Sequence, residues 1–93
     1  MQDSLQTIPG VGPAVARMLR EVGIAEVSDL QGQDAELLYR RLCTLRGQTL
    51  DPCVLYTFRC AVYFASTEAH DPELLKWWNW SDQRLLTRTQ PGA

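Results

Sequence analysis

The residues best placed to do chemistry sit in the stretch from Leu5 to Ala16, LQTIPGVGPAVA, where two prolines and two glycines fall within the five positions 9 to 13. A turn this tight between two apolar segments needs residues that tolerate positive φ, and Gly10 and Gly12 supply them. Pro13 suits the first position of a following helix, where its missing N–H costs nothing. The N–H groups of Gly10, Val11, Gly12 and Ala14 are then left without intrahelical partners, close to the positive end of a helix dipole. The chemistry of such a cluster is anion binding. Arg17, the first charge after the turn, lies one helical turn beyond Ala14 on the same face and can reach the same anion.

Other groups offer less. Cys43, Cys53 and Cys60 are an odd number of thiols, read as small buried side chains. Cys53 and Cys60 are seven residues apart on one expected helix, about 10 Å along its axis, and cannot pair with each other. Their spacing matches the first two ligands of a C-x6-C-x2-C-x5-C iron–sulfur run, but the positions of the third and fourth hold Tyr63 and Ala69. Nothing resembles a C-x2-C zinc knuckle, so no metal or cofactor is expected. His70 stands beside the helix-start signal Asp71-Pro72 with no nucleophile spaced to work with it, and a surface turn is its expected place. A dinucleotide-binding G-x-G-x-x-G fails because position 15 is Val. The chain reads as a binding or structural module, not an enzyme.

Trp77, Trp78 and Trp80 are the other conspicuous cluster. Leu74, Leu75 and two of these tryptophans are expected to fold back on the longest helix and enlarge a small core, leaving the third partly exposed. The cluster also suits a protein partner or a homodimer contact, and aromatics beside cations can stack on unpaired bases.

With 93 residues, 45% of them hydrophobic and 22% charged, the chain has the composition of one folded domain. A net charge of −2 and a pI near 5.2 speak against coating nucleic acid by bulk electrostatics, so any such contact is local. The first ten residues hold an acid and a Pro-Gly turn where a secretory leader would carry a basic start and an apolar run. The longest apolar stretch, residues 53 to 65, is shorter than the roughly 20 residues of a membrane span. A cytoplasmic protein with no membrane contact is expected.

These groups must be positioned by helices, since no strand-like alternation occurs. Asp3 or Ser4 can cap a short helix ending before Pro9, and a second helix runs from Pro13 to a left-handed cap at Gly23. Ser28 or Asp29 caps a one-turn connector that Gly32 ends. Asp34 starts a helix whose Leu37, Leu38, Leu42 and Leu45 form an apolar face, stopped by Gly47. Asp51-Pro52 starts the central helix, apolar at eleven of the thirteen positions from 53 to 65. Asp71-Pro72 starts a last one.

A shift of 37 residues lays Leu5 to Gly10 on Leu42 to Gly47, Ala16 on Cys53 and Leu19 on Tyr56, so helix, tight turn, helix occurs twice. The second copy brings Arg46 and Gly47 to the position of the first turn. If both hairpins lie on one side, Arg17 and Arg46, with Arg41 and Arg20 as further candidates, can form a basic rim around the anion site. They can equally be solvated helix faces paired with neighbours such as Glu21, the glycines then serving the turns alone.

The string apolar-Pro-Gly-Val-Gly-Pro-x-x-Ala resembles the helix-hairpin-helix motif of DNA repair and recombination proteins, whose hairpin amides hold duplex phosphates without reading sequence. In DNA-binding examples the second residue after the last hairpin glycine is often Lys; here it is Ala14, which leaves Arg17 to substitute. Together, LQTIPGVGPAVA, LYRRLC, DPCVLYTFRCAVYFAS and DPELLKWWNW resemble the small bacterial helix-hairpin-helix proteins of the pathogenicity-locus family, often labelled mitomycin-resistance proteins. The resemblance runs from about Leu5 to Trp80. It implies an all-α, five-helix double helix-hairpin-helix domain with an added Trp-rich helix, DNA binding through the motif, no established enzymatic activity and, from the resistance label, a link to DNA damage. The few cations make the expected binding weak and salt-dependent. The expected boundaries are a domain over 1–82, with hairpins at 3–23 and 34–66, a connector at 27–31, a C-terminal helix at 71–80 and a flexible tail at 83–93. The expected DNA contacts are Gly10, Val11, Gly12, Ala14, Arg17, Arg46 and Gly47.

Overall fold

The structure, a computed structural model, describes residues 4–82. Asp3 as a cap and the tail at 83–93 lie outside them. The described chain is all-helical: a 3-10 turn (Ser4–Thr7), α1 (Pro13–Glu21), a 3-10 turn (Val27–Leu30), α2 (Ala35–Arg46), α3 (Pro52–Ser66), and two further 3-10 turns, Pro72–Leu75 and Trp77–Trp80.

Local chemistry sets most of these boundaries. The Asp34 carboxylate accepts from the N–H groups of Glu36 and Leu37 at 2.9 and 3.4 Å and caps α2, while Asp51 accepts from Cys53 N–H at 2.8 Å and caps α3. Each of α1 and α2 ends in a glycine-centred cap. Ile24 N–H donates to Leu19 O with Gly23 at φ +94°, and Gln48 N–H donates to Cys43 O with Gly47 at φ +67°. The connector is capped differently from expectation. Glu26 is its N-cap, and the Asp29 carboxylate reaches back to the N–H groups of Ala25 and Glu26, both at 3.0 Å.

The core gathers around α3. Phe58, Cys60 and Ala61 are fully buried, and Leu5, Ile8, Leu19, Leu30, Leu38 and Leu42 close over them from the elements before. Thr57 is buried too, its hydroxyl donating to Cys53 O at 2.9 Å. The apolar face expected on α2 is narrower in fact: Leu38 and Leu42 are buried with Ala35, but Leu37 and Leu45 remain 55% and 59% exposed. Packing uses one stripe of α2, and those two leucines fall outside it. Cys53 likewise departs from expectation, exposed in the first turn of α3 while Cys60 is buried and Cys43 half-buried; all three are free thiols.

The C-terminal helix expected at 71–80 is two 3-10 turns, broken at an extended Lys76 (φ −93°, ψ 116°). The start signal works, since Asp71 accepts from Glu73 N–H at 3.0 Å. Side chains then take the carbonyls a continuing helix would use. Asn79 Nδ2 donates to Glu73 O at 2.7 Å and Trp80 Nε1 to Leu74 O at 2.7 Å. The segment folds back along α3, with Leu74, Leu75, Trp77 and Trp80 half-buried and Trp78 half-exposed. Arg59, with only 11% of its side chain exposed, ties it down by donating to Trp80 O and Asp82, both at 2.8 Å, and to Glu36 at 3.1 Å. Trp77 and Trp80 do not join the buried cluster, whose partly buried neighbours all lie between Val15 and Ala65. They cover its margin, Trp77 against Gly10 and Trp80 against Tyr63, so the expected enlargement of the core is not seen, while Trp78 is partly exposed as expected.

Replacing Phe58 with Ala should cost about 3–5 kcal/mol of stability, measured by urea denaturation, because a central cavity opens. Leu45→Ala should change it by no more than about 0.5 kcal/mol, as for other surface sites.

Candidate nucleic-acid interface

The first hairpin is a turn from Ile8 to Val11, closed by the Val11 N–H donating to Ile8 O at 3.0 Å. Pro9 and Gly10 occupy its corners, and Gly10 has φ +84°, the pattern of a type II turn. Ile8 and Val11 both point inward, 1% and 6% exposed. Val11 was expected among the anion-binding amides, but its N–H is already used in closing the turn. Gly12 also differs from expectation. Its φ of −95° and ψ of −171° are open to any residue, and a Cβ there would meet nothing within 4 Å. Neither backbone strain nor crowding asks for glycine at position 12.

Gly12 is the N-cap of α1, and no side chain caps that helix. Its carbonyl accepts from Ala16 N–H at 2.9 Å, and Ala16 is fully buried, as the close approach of a helix requires. Among the described residues the N–H groups of Gly10, Gly12, Ala14 and Val15 have no hydrogen-bond partner. Gly10 and Ala14 are exposed and Gly12 and Val15 half-buried, so this donor cluster lies at the surface, at the positive end of α1. Arg17 is exposed and makes no ion pair or hydrogen bond among the described residues.

The second hairpin is built differently. Gly47 N–H is used on Cys43 O and Thr44 O, Gln48 N–H on Cys43 O, and Leu50 N–H points at Cys43 Sγ from 3.5 Å. Tyr39 OH donates to Leu50 O and clamps the loop from the other side. The α3 N-terminus carries the Asp51 carboxylate, which the Cys53 N–H holds below the usual aspartate range. It remains anionic and occupies the place a phosphate would take. Gly47 thus matches Gly10 in its positive φ, and Leu42 matches Leu5 in being fully buried, without matching in free donors. Cys53 is exposed where Ala16 is buried, so the correspondence does not extend into the second helix.

Arg46, expected at the anion site, is paired with Glu21: its Nη2 lies 2.5 Å from one carboxylate oxygen and Nε donates to the other at 3.4 Å. Glu21 ends α1, nine residues or about 13 Å from Gly12, so the pair sits at the opposite end of the helix from the donor cluster. Arg41 is also committed, donating to Val22 O at 3.1 Å. The structure therefore gathers Gly10, Gly12, Ala14 and Arg17, and sets Arg46 and Gly47 apart.

One neighbour of the hairpin was not legible beforehand. A Cβ on Gly10 would lie 3.3 Å from Cδ1 of Trp77 and 3.9 Å from its Cβ and Cγ, so a side chain there would be strained by its φ and would press on the indole by a few tenths of an ångström. A contact spanning 67 positions of chain leaves no local signal in one sequence. Arg59 owes its role to equally distant partners, Glu36, Trp80 and Asp82, and in the sequence it is only one of the two polar residues within the apolar run from 53 to 65.

Groups able to do covalent chemistry are tied up. Burial pushes the Cys60 thiol up to about 11, and Asp51 beside Cys53 raises that thiol as well, so both remain protonated near neutrality. His70 is half-buried against Phe64, ring centroids 4.7 Å apart, and its Nε2 donates to Phe64 O at 2.8 Å. Among the described residues no three His, Cys, Asp or Glu side chains gather as a metal ion would need. No helix there is long and apolar enough to cross a membrane.

The Arg46 hydrogen bond, and to a lesser degree the charges of Arg46 and Arg17, hold Glu21 below the usual glutamate range. A carboxylate with a depressed folded-state pKa stabilises the fold above its unfolded pKa and loses that contribution as pH falls through the folded one. Denaturation of wild type and Glu21→Gln from pH 7 to 3 should show a gap at neutral pH that closes in the acid range.

Comparison with known proteins places the chain in a family. The family model described as Cdd1, pathogenicity locus, matches residues 1–85. A relative from Streptomyces lavendulae, named mitomycin resistance protein McrB, is 36% identical over 80 residues, covering 86% of this chain and 72% of the relative. No solved structure matches. With a match across almost its whole length, the chain belongs to the pathogenicity-locus family.

Proposed function

We propose that the protein binds the phosphate backbone of duplex DNA without reading its sequence, holding a phosphate on the amides of Gly10, Gly12 and Ala14 with Arg17 alongside. The observation that carries this reading is the uncapped start of α1. Where α2 and α3 begin with an aspartate on their amides, α1 begins with a glycine that neither conformation nor packing demands, and among the described residues four N–H groups have no hydrogen-bond partner. A capping carboxylate there would stabilise the helix and close the site. On this reading the five helical elements from Ser4 to Ser66 form a double helix-hairpin-helix in which only the first hairpin keeps its donors. The second acts as a scaffold, and the protein is a binding module with no catalytic step. The name of the Streptomyces relative fits a role connected with DNA damage.

A second reading takes the tryptophan segment as a contact for a partner protein or a second copy, favoured by Trp78 at 50% exposure. It is the weaker one, because Trp77 is packed on Gly10 and Trp80 on Tyr63 at 5.5 Å, which leaves a single ring to offer.

With so few free cations, affinity for duplex should be weak, with a Kd of about 1–100 µM at physiological salt, and should weaken steeply as salt rises. Fluorescence anisotropy of a labelled duplex over several salt concentrations measures both. Arg17→Glu should abolish binding. Gly12→Asp should abolish it as well while raising Tm by about 1–3 °C, because it supplies the missing cap. No binding by wild type at low salt would overturn the proposal.

A further inference from the structure

The exposed indole of Trp78 stands one ring away from the open amides. Trp77 lies against Gly10, and the ring of Trp78 meets Trp77 edge-on with centroids 5.8 Å apart and planes at 85°. The turn that carries it is held firmly: Asn79 N–H donates to Lys76 O at 3.0 Å, Ser81 N–H to Trp78 O at 3.4 Å, and Arg59 grips Trp80 O at 2.8 Å. Trp78 is thus a large aromatic face fixed in water beside a donor cluster suited to phosphate. Its neighbours on the turn use their rings inside the protein, and Trp78 does not.

Resting on the DNA reading above, we infer that the preferred ligand is DNA with an unpaired base next to duplex, such as a single-stranded overhang or a frayed end. The hairpin amides hold a backbone phosphate while Trp78 stacks on the unpaired base. In the interior of a duplex each base is covered on both faces by its neighbours, and at a blunt end only the outer face of a paired base is open, so an indole beside the helix has no unpaired base to meet. A nucleotide beyond the last pair offers one. Every base has such a face, so the preference is for strand state and not for sequence. The polar half of the contact comes from α1 and the aromatic half from the C-terminal segment, and the packing of Trp77 on Gly10 fixes their spacing.

The test compares a labelled blunt duplex with the same duplex carrying a short single-stranded overhang, titrated with wild type, Trp78→Ala, Trp78→Phe and Arg17→Glu at low salt. Wild type should bind the overhang duplex about tenfold more tightly, within what one base stacked on an aromatic residue contributes. Trp78→Ala should lose that preference yet bind blunt duplex as wild type does, and Trp78→Phe should keep part of it. The side chain is half-exposed, so these variants should fold normally, as circular dichroism will check. Equal wild-type affinity for the two DNAs, or a preference that survives in Trp78→Ala, overturns the inference and leaves the hairpin reading standing. An overhang preference abolished by Trp78→Ala but untouched by Arg17→Glu overturns the hairpin reading and keeps the stacking role. Binding of neither DNA overturns both. Self-association in sedimentation that Trp78→Ala removes, with DNA affinities unchanged, assigns the ring to a second copy and overturns it as well.

Discussion

Gly10 holds a backbone conformation that L side chains rarely adopt, and the first hairpin depends on it. The positive φ lets the chain reverse within four residues, so that Ile8 and Val11 on either side of the corner both enter the core. With those two side chains anchored, the following Gly12 and the first residues of α1 face outward. Donor groups are presented to solvent because the apolar residues around them are not. The missing Cβ also admits Trp77, which joins the beginning of the chain to its far end. One glycine thus fixes the turn, the direction of α1 and the docking of the tryptophan segment.

The two hairpins show how similar backbone geometry can support different chemistry. Gly10 and Gly47 share a left-handed conformation, but Gly47 is the terminal cap of a long helix and its amide is used on that helix's carbonyls. The element before Gly10 is a single 3-10 turn with few carbonyls to satisfy. The helix after each turn adds a second difference. Asp51 places a negative charge on the start of α3, whereas Gly12 places nothing on the start of α1. The positive end of the helix dipole is thus neutralised by a carboxylate at one hairpin and left without one at the other.

Electrostatic pairing explains why an acidic chain can leave one local cation unused. Arg46 pairs with Glu21, Arg40 lies 3.9 Å from Glu36, Arg59 bridges Glu36 and Asp82, and Lys76 meets Glu73 at 3.1 Å. Arg17 has its i+4 neighbour Glu21, but that carboxylate is already held by Arg46. The charge of Arg17 is therefore available on the same helix that carries the open amides.

Residue types with a local mechanism were legible in the sequence. Aspartates before helices, prolines at first helical positions, and glycines after helices act within a few residues of themselves, so Asp34, Asp51, Asp71, Gly23 and Gly47 marked their elements correctly. Only the tertiary structure could decide what depends on contacts distant in the chain. Leu37 and Leu45 have the spacing of an apolar face, yet α2 packs along a narrower stripe. The tryptophan segment has a helix-start signal, but Asn79 and Trp80 side chains take its carbonyls once α3 holds the rings. Arg46 was read as a candidate cation, and the meeting of α1 with α2 paired it with Glu21. The contact of Trp77 with Gly10 depends on the whole fold closing, for it joins residues that no local propensity relates.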